Sequence, residues 1–159
     1  MEIERQFLIG KFPDLREVYA AQVWQGYLST APVVRIRRFS PPSGEDRYEL
    51  TVKGKGTLVR TEVNIPIDET QFTEMAGLLT RALIHKDYHV YELPAGLKLD
   101  CSAVDAETDH GFMYAEVEFG SVEEAKAFVP PPFLGREVTE VRRFSMSQYW
   151  IRGTLADLL

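Results

Sequence analysis

Met1-Glu2-Ile3-Glu4-Arg5-Gln6-Phe7, residues 1–7, is the stretch that decides the fold. As a strand it alternates with period two. Glu2, Glu4 and Gln6 fall on one face, and Ile3, Arg5 and Phe7 on the other. Carboxylates two residues apart on one face repel each other, and a cation set between them relieves the repulsion. A frayed, solvated first strand would tolerate the same pair. The recurrence of the pattern downstream decides between the two.

Working outward, Arg35 and Arg37 oppose Val34 and Ile36 on a strand over 33–39. Thr51 and Lys53 oppose Tyr48, Leu50 and Val52 over 47–53, and the next run, to residue 67, alternates Leu58, Arg60, Glu62 and Asn64 with Val59, Thr61, Val63 and Ile65. Lys86 and Tyr88 share a face over 84–91, as do Lys98 and Asp100 over 97–104. Glu116 and Glu118 oppose Ala115, Val117 and Phe119 over 112–119. With 2–9 and 21–29 this predicts eight strands. Between them, 14–19 reads as a short helical turn. Asp68 with Gln71 forms a capping box that opens an amphipathic helix over 69–83. Ser121 with Glu124 opens a second helix, stopped by Pro130-Pro131-Pro132. Residues 135–139 form a short segment, and 145–159 read as a terminal helix interrupted near Gly153.

A chain of 159 residues is large enough for a real core, and we read 1–159 as a single domain. Its apolar fraction of 45% and charged fraction of 26% are those of a soluble globular protein. No apolar run of membrane-spanning length occurs, so no membrane partner is expected. A start with two acids is not a secretory leader, and the lone Cys101 excludes an internal disulfide and any multi-cysteine metal site. Together these imply a cytoplasmic location. Cys101 itself reads as small core filler. The net charge of −6 argues against a general nucleic-acid binder but not against a local basic pocket.

An antiparallel sheet with one wet face also carries polar residues there. Here, however, the polar faces hold same-sign pairs rather than a mixture of Thr, Ser, Gln and Lys. If helices cover the apolar face, the charged face turns inward as the sheet curls shut. The expected fold is therefore α+β, mainly β: an eight-stranded antiparallel barrel with helices packed outside. A charged interior is costly unless it holds a charged ligand. Clustered carboxylates suit Mg²⁺ or Mn²⁺, and arginine forks suit phosphate oxygens. The inferred partner is a small polyanion: inorganic triphosphate, a nucleoside triphosphate or another phosphoanhydride. No P-loop is present, Gly54-Lys55-Gly56 being too short, and His85, His89 and His110 lack metal-ligand spacing and read as surface residues.

At this point Glu2-Ile3-Glu4-Arg5-Gln6-Phe7-Leu8 resembles the ExExK signature of the CYTH superfamily, the triphosphate tunnel metalloenzymes. Further blocks resemble the family's in the same order: Gln25-Gly26-Tyr27-Leu28, Arg35-Ile36-Arg37, Leu50-Thr51-Val52-Lys53, Arg60-Thr61-Glu62, Ala115-Glu116-Val117-Glu118 and Leu134-Gly135-Arg136-Glu137-Val138-Thr139. The chain looks most like the short bacterial inorganic triphosphatases. The resemblance implies a metal-dependent triphosphatase in which Glu2, Glu4, Glu116 and Glu118 hold the metal. Arg35, Arg37, Lys53, Arg60 and Lys86 grip the triphosphate, and Glu62 and Asp100 are further acidic tunnel groups. Glu2, Glu4 and Tyr27 take the catalytic roles. Adenylate cyclisation, thiamine triphosphate hydrolysis and non-catalytic polyphosphate binding are the alternatives it leaves. Two departures stand out: Gln6 replaces the signature lysine, and Tyr88 stands where the family often has a second cation. A homodimer could form through a strand edge or the terminal helix bearing Tyr149 and Trp150.

Overall fold

The computed structural model describes all residues, 1–159. Nine strands form one antiparallel sheet: β1 (Glu2–Leu8), β2 (Glu17–Thr30), β3 (Val33–Ser40), β4 (Arg47–Lys53), β5 (Val59–Arg60), β6 (Glu62–Ile67), β7 (Ile84–Glu92), β8 (Lys98–Val104) and β9 (Phe112–Glu118). Their spatial order is β5-β1-β9-β8-β7-β2-β3-β4-β6. β5 and β6 end the order on opposite sides, yet only Thr61 separates them in the chain. The chain itself therefore draws the two edges together into a nearly closed barrel. The ninth strand arises because the run expected as one strand to residue 67 breaks at Thr61: β5 pairs with β1, whereas β6 pairs with β4.

Three helices lie outside: α1 (Glu69–Ala76), α2 (Val122–Ala127) and α3 (Met146–Arg152). The Asp68–Gln71 capping box forms on α1, but the helix stops at Gly77 rather than running to residue 83. Leu79 and Leu83 still reach the barrel. A Cβ on Gly26 of β2 would come within 2.4 Å of Leu79 Cδ1 and 3.1 Å of Leu83 Cδ2, so a larger residue there would have to displace those side chains. α3 is capped by Ser145 and ended by Gly153 at φ 82°, with a 3₁₀ turn beyond it at Ala156–Leu158. The expected helical turn at 14–19 is not helical; β2 begins at Glu17 and pairs there with Tyr91.

The apolar core has two parts, one on the outer face of the sheet and one that takes in the inward-facing Val104 and Tyr114. Phe7, Leu99, Cys101, Ala115 and Val117 pack under α2 and Leu134, with Cys101 fully buried as core filler. Val104, Tyr114, Val138 and Phe144 pack under α3. Tyr149 and Trp150 belong to this second cluster and are buried, which removes them as a dimer surface. Arg5, on the outer side of β1 as its period requires, binds Glu137 through two hydrogen bonds of 2.6 and 2.9 Å. It also donates to the carbonyls of Ala125 and Phe128. The segment 135–139 completes β1 by exchanging backbone bonds with Gln6 and Leu8.

Phe7, 1% exposed at the centre of this packing, is the main apolar anchor of β1. Phe7→Ala is expected to destabilise the fold by about 3–5 kcal/mol, read as a lower urea midpoint with an unchanged slope.

Candidate active site: a charged channel through the barrel

The alternation of each strand aims its polar residues at the barrel axis. Register then sets them opposite one another: Glu4 against Glu118, Gln6 and Asp100 against Glu116, Glu2 against Arg60, Lys53 against Glu62 and Arg37 against Glu49. The result is a cavity of about 220 Å³ with 17 lining residues, only three of them hydrophobic, so it suits a charged ligand and not an apolar one. Glu2, Glu4, Arg35, Arg37, Lys53, Glu62, Lys86, Asp100, Glu116 and Glu118 all line it. Arg60 and Tyr27 do not. Arg60 stands just beyond, its Nε 3.4 Å from Glu2 and its Nη2 4.0 Å from Glu4. Tyr27 lines a small adjoining cavity of about 30 Å³, and its hydroxyl accepts a hydrogen bond from Gln25 Nε2. The three histidines lie outside the channel; His85, for example, bonds Gln22 and Glu107 on the outer surface.

Two charged lining residues escaped the sequence reading. Arg47 and Glu49 share the inward parity of Thr51 and Lys53, and Glu49 receives Arg37 at 2.5 Å and Arg47 at 3.2 Å. Their position in the period-two frame of β4 was the available signal.

The cationic wall is short of partners. Arg35 Nη2 donates to Thr51 at 3.2 Å, but the Nε groups of both Arg35 and Arg37 are buried with no hydrogen-bond partner. Orphaned buried N–H donors on guanidinium groups are unfavourable alone and are satisfied by an entering anion. Lys86 is 5% exposed and donates to the Tyr114 hydroxyl at 2.6 Å. Burial lowers its pKa to about 7, against the pull of Glu116.

The acidic wall is crowded. Lys53 Nζ lies 3.0 and 3.3 Å from the two Glu2 oxygens and 3.8 Å from Glu62. Gln6 Nε2 bridges Glu4 and Glu116, at 3.2 and 3.1 Å. Burial and the Glu116 charge hold Glu4 well above the usual carboxylate range. Glu116 is held low: burial opposes ionisation there, but Lys86 and Lys53 outweigh it. Ionisation is therefore divided unequally between the two carboxyls, Glu4 favouring its protonated form and Glu116 its charged one, both beside the Gln6 amide. Burial raises Asp100 to about 6 even though Tyr88 donates to it at 2.7 Å, and burial with Glu2 and Glu116 raises Glu118. Tyr88, in place of a second cation, thus serves an acid.

No three His, Cys, Asp or Glu side chains converge into a ready-made metal cluster. Gln6 stands between Glu4 and Glu116, and Lys53 on Glu2. The donor chemistry nevertheless fits a hard divalent cation: carboxylate oxygens only, with a surplus of negative charge offset in part by Lys53.

The Lys86 shift has a direct consequence. Below about pH 7 the channel holds this extra cation, and above it the amine is neutral. The KM for an anionic substrate is expected to rise as pH increases through about 7. Lys86→Arg, which stays charged, should remove that limb; steady-state pH profiles of the two proteins check this.

No protein-family model matches the chain. Over 145 residues it is 39% identical to the inorganic triphosphatase of Nitrosomonas europaea, covering 90% of this chain and 92% of that one. Its fold matches the crystal structure of an inorganic triphosphatase with a TM-score of 0.65 at 32% identity, over 95% of both chains. It also matches a Hippeastrum putative adenylyl cyclase described as having a dominant triphosphatase activity, with a TM-score of 0.60 over 99% of both chains; at 15% identity this likeness shows the fold alone.

Proposed function

We propose, from the premise that the chain belongs to the CYTH superfamily of triphosphate tunnel enzymes, beside the inorganic triphosphatase it matches, that it hydrolyses inorganic triphosphate to pyrophosphate and orthophosphate. The observation that carries this reading is the facing of two unpartnered guanidinium Nε groups, Arg35 and Arg37, across one small polar channel from a surplus of carboxylates. The arginines and Lys86 take the phosphate oxygens. Lys53, set between Glu2 and the channel, couples the two walls. Arg60 holds Glu2 and Glu4 from behind. Glu2, Glu4, Glu116 and Glu118 would hold Mg²⁺ or Mn²⁺, which supplies charge neutralisation on the phosphates when bound.

In the reaction a water oxygen attacks the terminal phosphorus in line. The bridging P–O bond breaks, pyrophosphate leaves with its electron pair, and the water proton passes to solvent. Tyr27, which accepts from Gln25, keeps its own O–H free to orient water beside Lys53 and Arg35. Glu62 steadies Lys53, and Asp100 accepts the Tyr88 hydroxyl and fixes it on the channel wall. A channel of about 220 Å³ with three hydrophobic lining residues offers no apolar seat for an organic group. Phosphate release from triphosphate, ATP, thiamine triphosphate and pyrophosphate checks the reading. Triphosphate should be preferred; equal turnover of all four would overturn that assignment.

A further inference from the structure

Lys53, at the end of β4, lines the channel, the small adjoining cavity and, beyond it, a larger vestibule of about 890 Å³. Glu49, two inward positions earlier on β4, lines the channel and neither of the other cavities. It stands on the wrong wall for its charge. Register sets it directly opposite Arg37 of β3. Of the cationic wall's Arg35, Arg37 and Lys86, only Arg37 forms an ion pair, and Glu49 is its partner.

That pair is half made. Nε and Nη2 form the edge of a guanidinium that meets an oxyanion in two parallel bonds. Arg5 shows the full arrangement in this molecule, with Nε and Nη2 both donating to Glu137. On Arg37, Glu49 Oε1 takes Nη2 at 2.5 Å and leaves Nε buried without a partner. Glu49 has a second cation within reach, since its Oε2 accepts from Arg47 Nη1 at 3.2 Å. The Arg47 side chain is 57% exposed, against 19% for Arg37, and both guanidinium groups lie over the Phe39 ring, 4.1 and 4.8 Å from its centroid. Moving toward Arg47 therefore keeps the carboxylate paired. Thr51 does not tether it: the single hydroxyl proton lies closer to Asn64 Oδ1, at 2.6 Å between oxygens, than to Glu49, at 3.3 Å. Glu49 stays ionised, because burial opposes its charge but Arg37, Arg35 and Arg47 outweigh it and hold its pKa low. We infer that Glu49 is a built-in competitor for the substrate: it occupies half of the Arg37 fork until an entering phosphate group displaces it onto Arg47, and it returns to Arg37 as product leaves. The inference rests on the triphosphatase reading of the channel. Glu49 acts through Arg37 and is a positioning residue, so its effect falls on binding rather than on the bond that breaks.

The test compares the wild type with Glu49→Gln, Arg47→Gln and the double variant. Calorimetry without added metal gives Kd for inorganic triphosphate, and phosphate release with Mg²⁺ gives KM and kcat. Glutamine keeps an oxygen for Arg37 and removes the charge. Glu49→Gln should lower Kd and KM about tenfold, the worth of one charge-assisted hydrogen bond, without raising kcat. Arg47→Gln should raise both about threefold, the size of an exposed ion pair, and should have no effect once Glu49 is Gln. A pair that only holds Arg37 in place predicts the opposite sign for Glu49→Gln. An unchanged or higher Kd in that variant, or an equal effect of Arg47→Gln in both backgrounds, would overturn the inference. Circular dichroism establishes that each variant folds; if Glu49→Gln does not, Arg47→Gln decides, and unchanged binding in it overturns the inference. Wild-type protein that binds triphosphate without cleaving it overturns the activity assigned to the channel and leaves the Kd comparison to decide on Glu49. Protein that does neither overturns the channel reading, and the inference with it.

Discussion

Lys53→Met is expected to reduce triphosphate hydrolysis by about a hundredfold, the loss expected when a buried charged hydrogen bond to the substrate disappears. Lys53 lines the channel, the vestibule and the small cavity between them, and it is the cation bound to both Glu2 oxygens. Methionine keeps the length of the side chain and removes its charge. Glu2 then keeps only Arg60, at 3.4 Å, and Glu62 loses its nearest cation. Removing one partner of a buried pair costs roughly 3 kcal/mol of stability, so the melting temperature should fall as well. Kinetics on the folded fraction, with circular dichroism beside them, separate the two effects. A variant of wild-type activity would mean that the acidic and cationic walls do not act together.

Gln6→Lys is expected to raise kcat/KM for triphosphate by about tenfold, the effect of one additional charged hydrogen bond at the mouth of the channel. The Gln6 amide already touches Glu4 and Glu116, so a lysine there meets two carboxylates and faces the vestibule. A cation at this point relieves their mutual repulsion. An unchanged rate would show that Lys53 and Arg60, which flank the same opening, already fill the role.

Much of this site was legible in residues 1–7 and their echoes. Period two placed Glu2 and Glu4 inside and Arg5 outside, where it does clamp Glu137. The same parity placed Arg35, Arg37, Lys53, Lys86, Glu116 and Glu118 in the channel, because a curled sheet can face its charges only inward or to water. What the sequence hid depends on pairing and partners. Thr61 carries no turn signal, yet the strand breaks there because the two halves pair with opposite edges of the sheet. Helix periodicity ran through Gly77 to Leu83, since Leu79 and Leu83 do pack on the barrel, though from a non-helical segment. Arg60 has the inward parity but sits behind Glu2, outside the channel, and Tyr27 faces the adjoining cavity. Tyr88 read as a missing cation; only its partner Asp100, on the neighbouring strand, shows what the hydroxyl does. The opposite displacement of the Glu4 and Glu116 pKa values depends on burial and on neighbours from other strands, and neither is visible along one strand.

The most direct measurement of the central claim is phosphate release from inorganic triphosphate with Mg²⁺ or Mn²⁺, the wild type run beside Glu4→Ala. The account predicts steady release of orthophosphate that requires added metal and disappears in the variant. Release no greater than that of Glu4→Ala, with either metal, would contradict it.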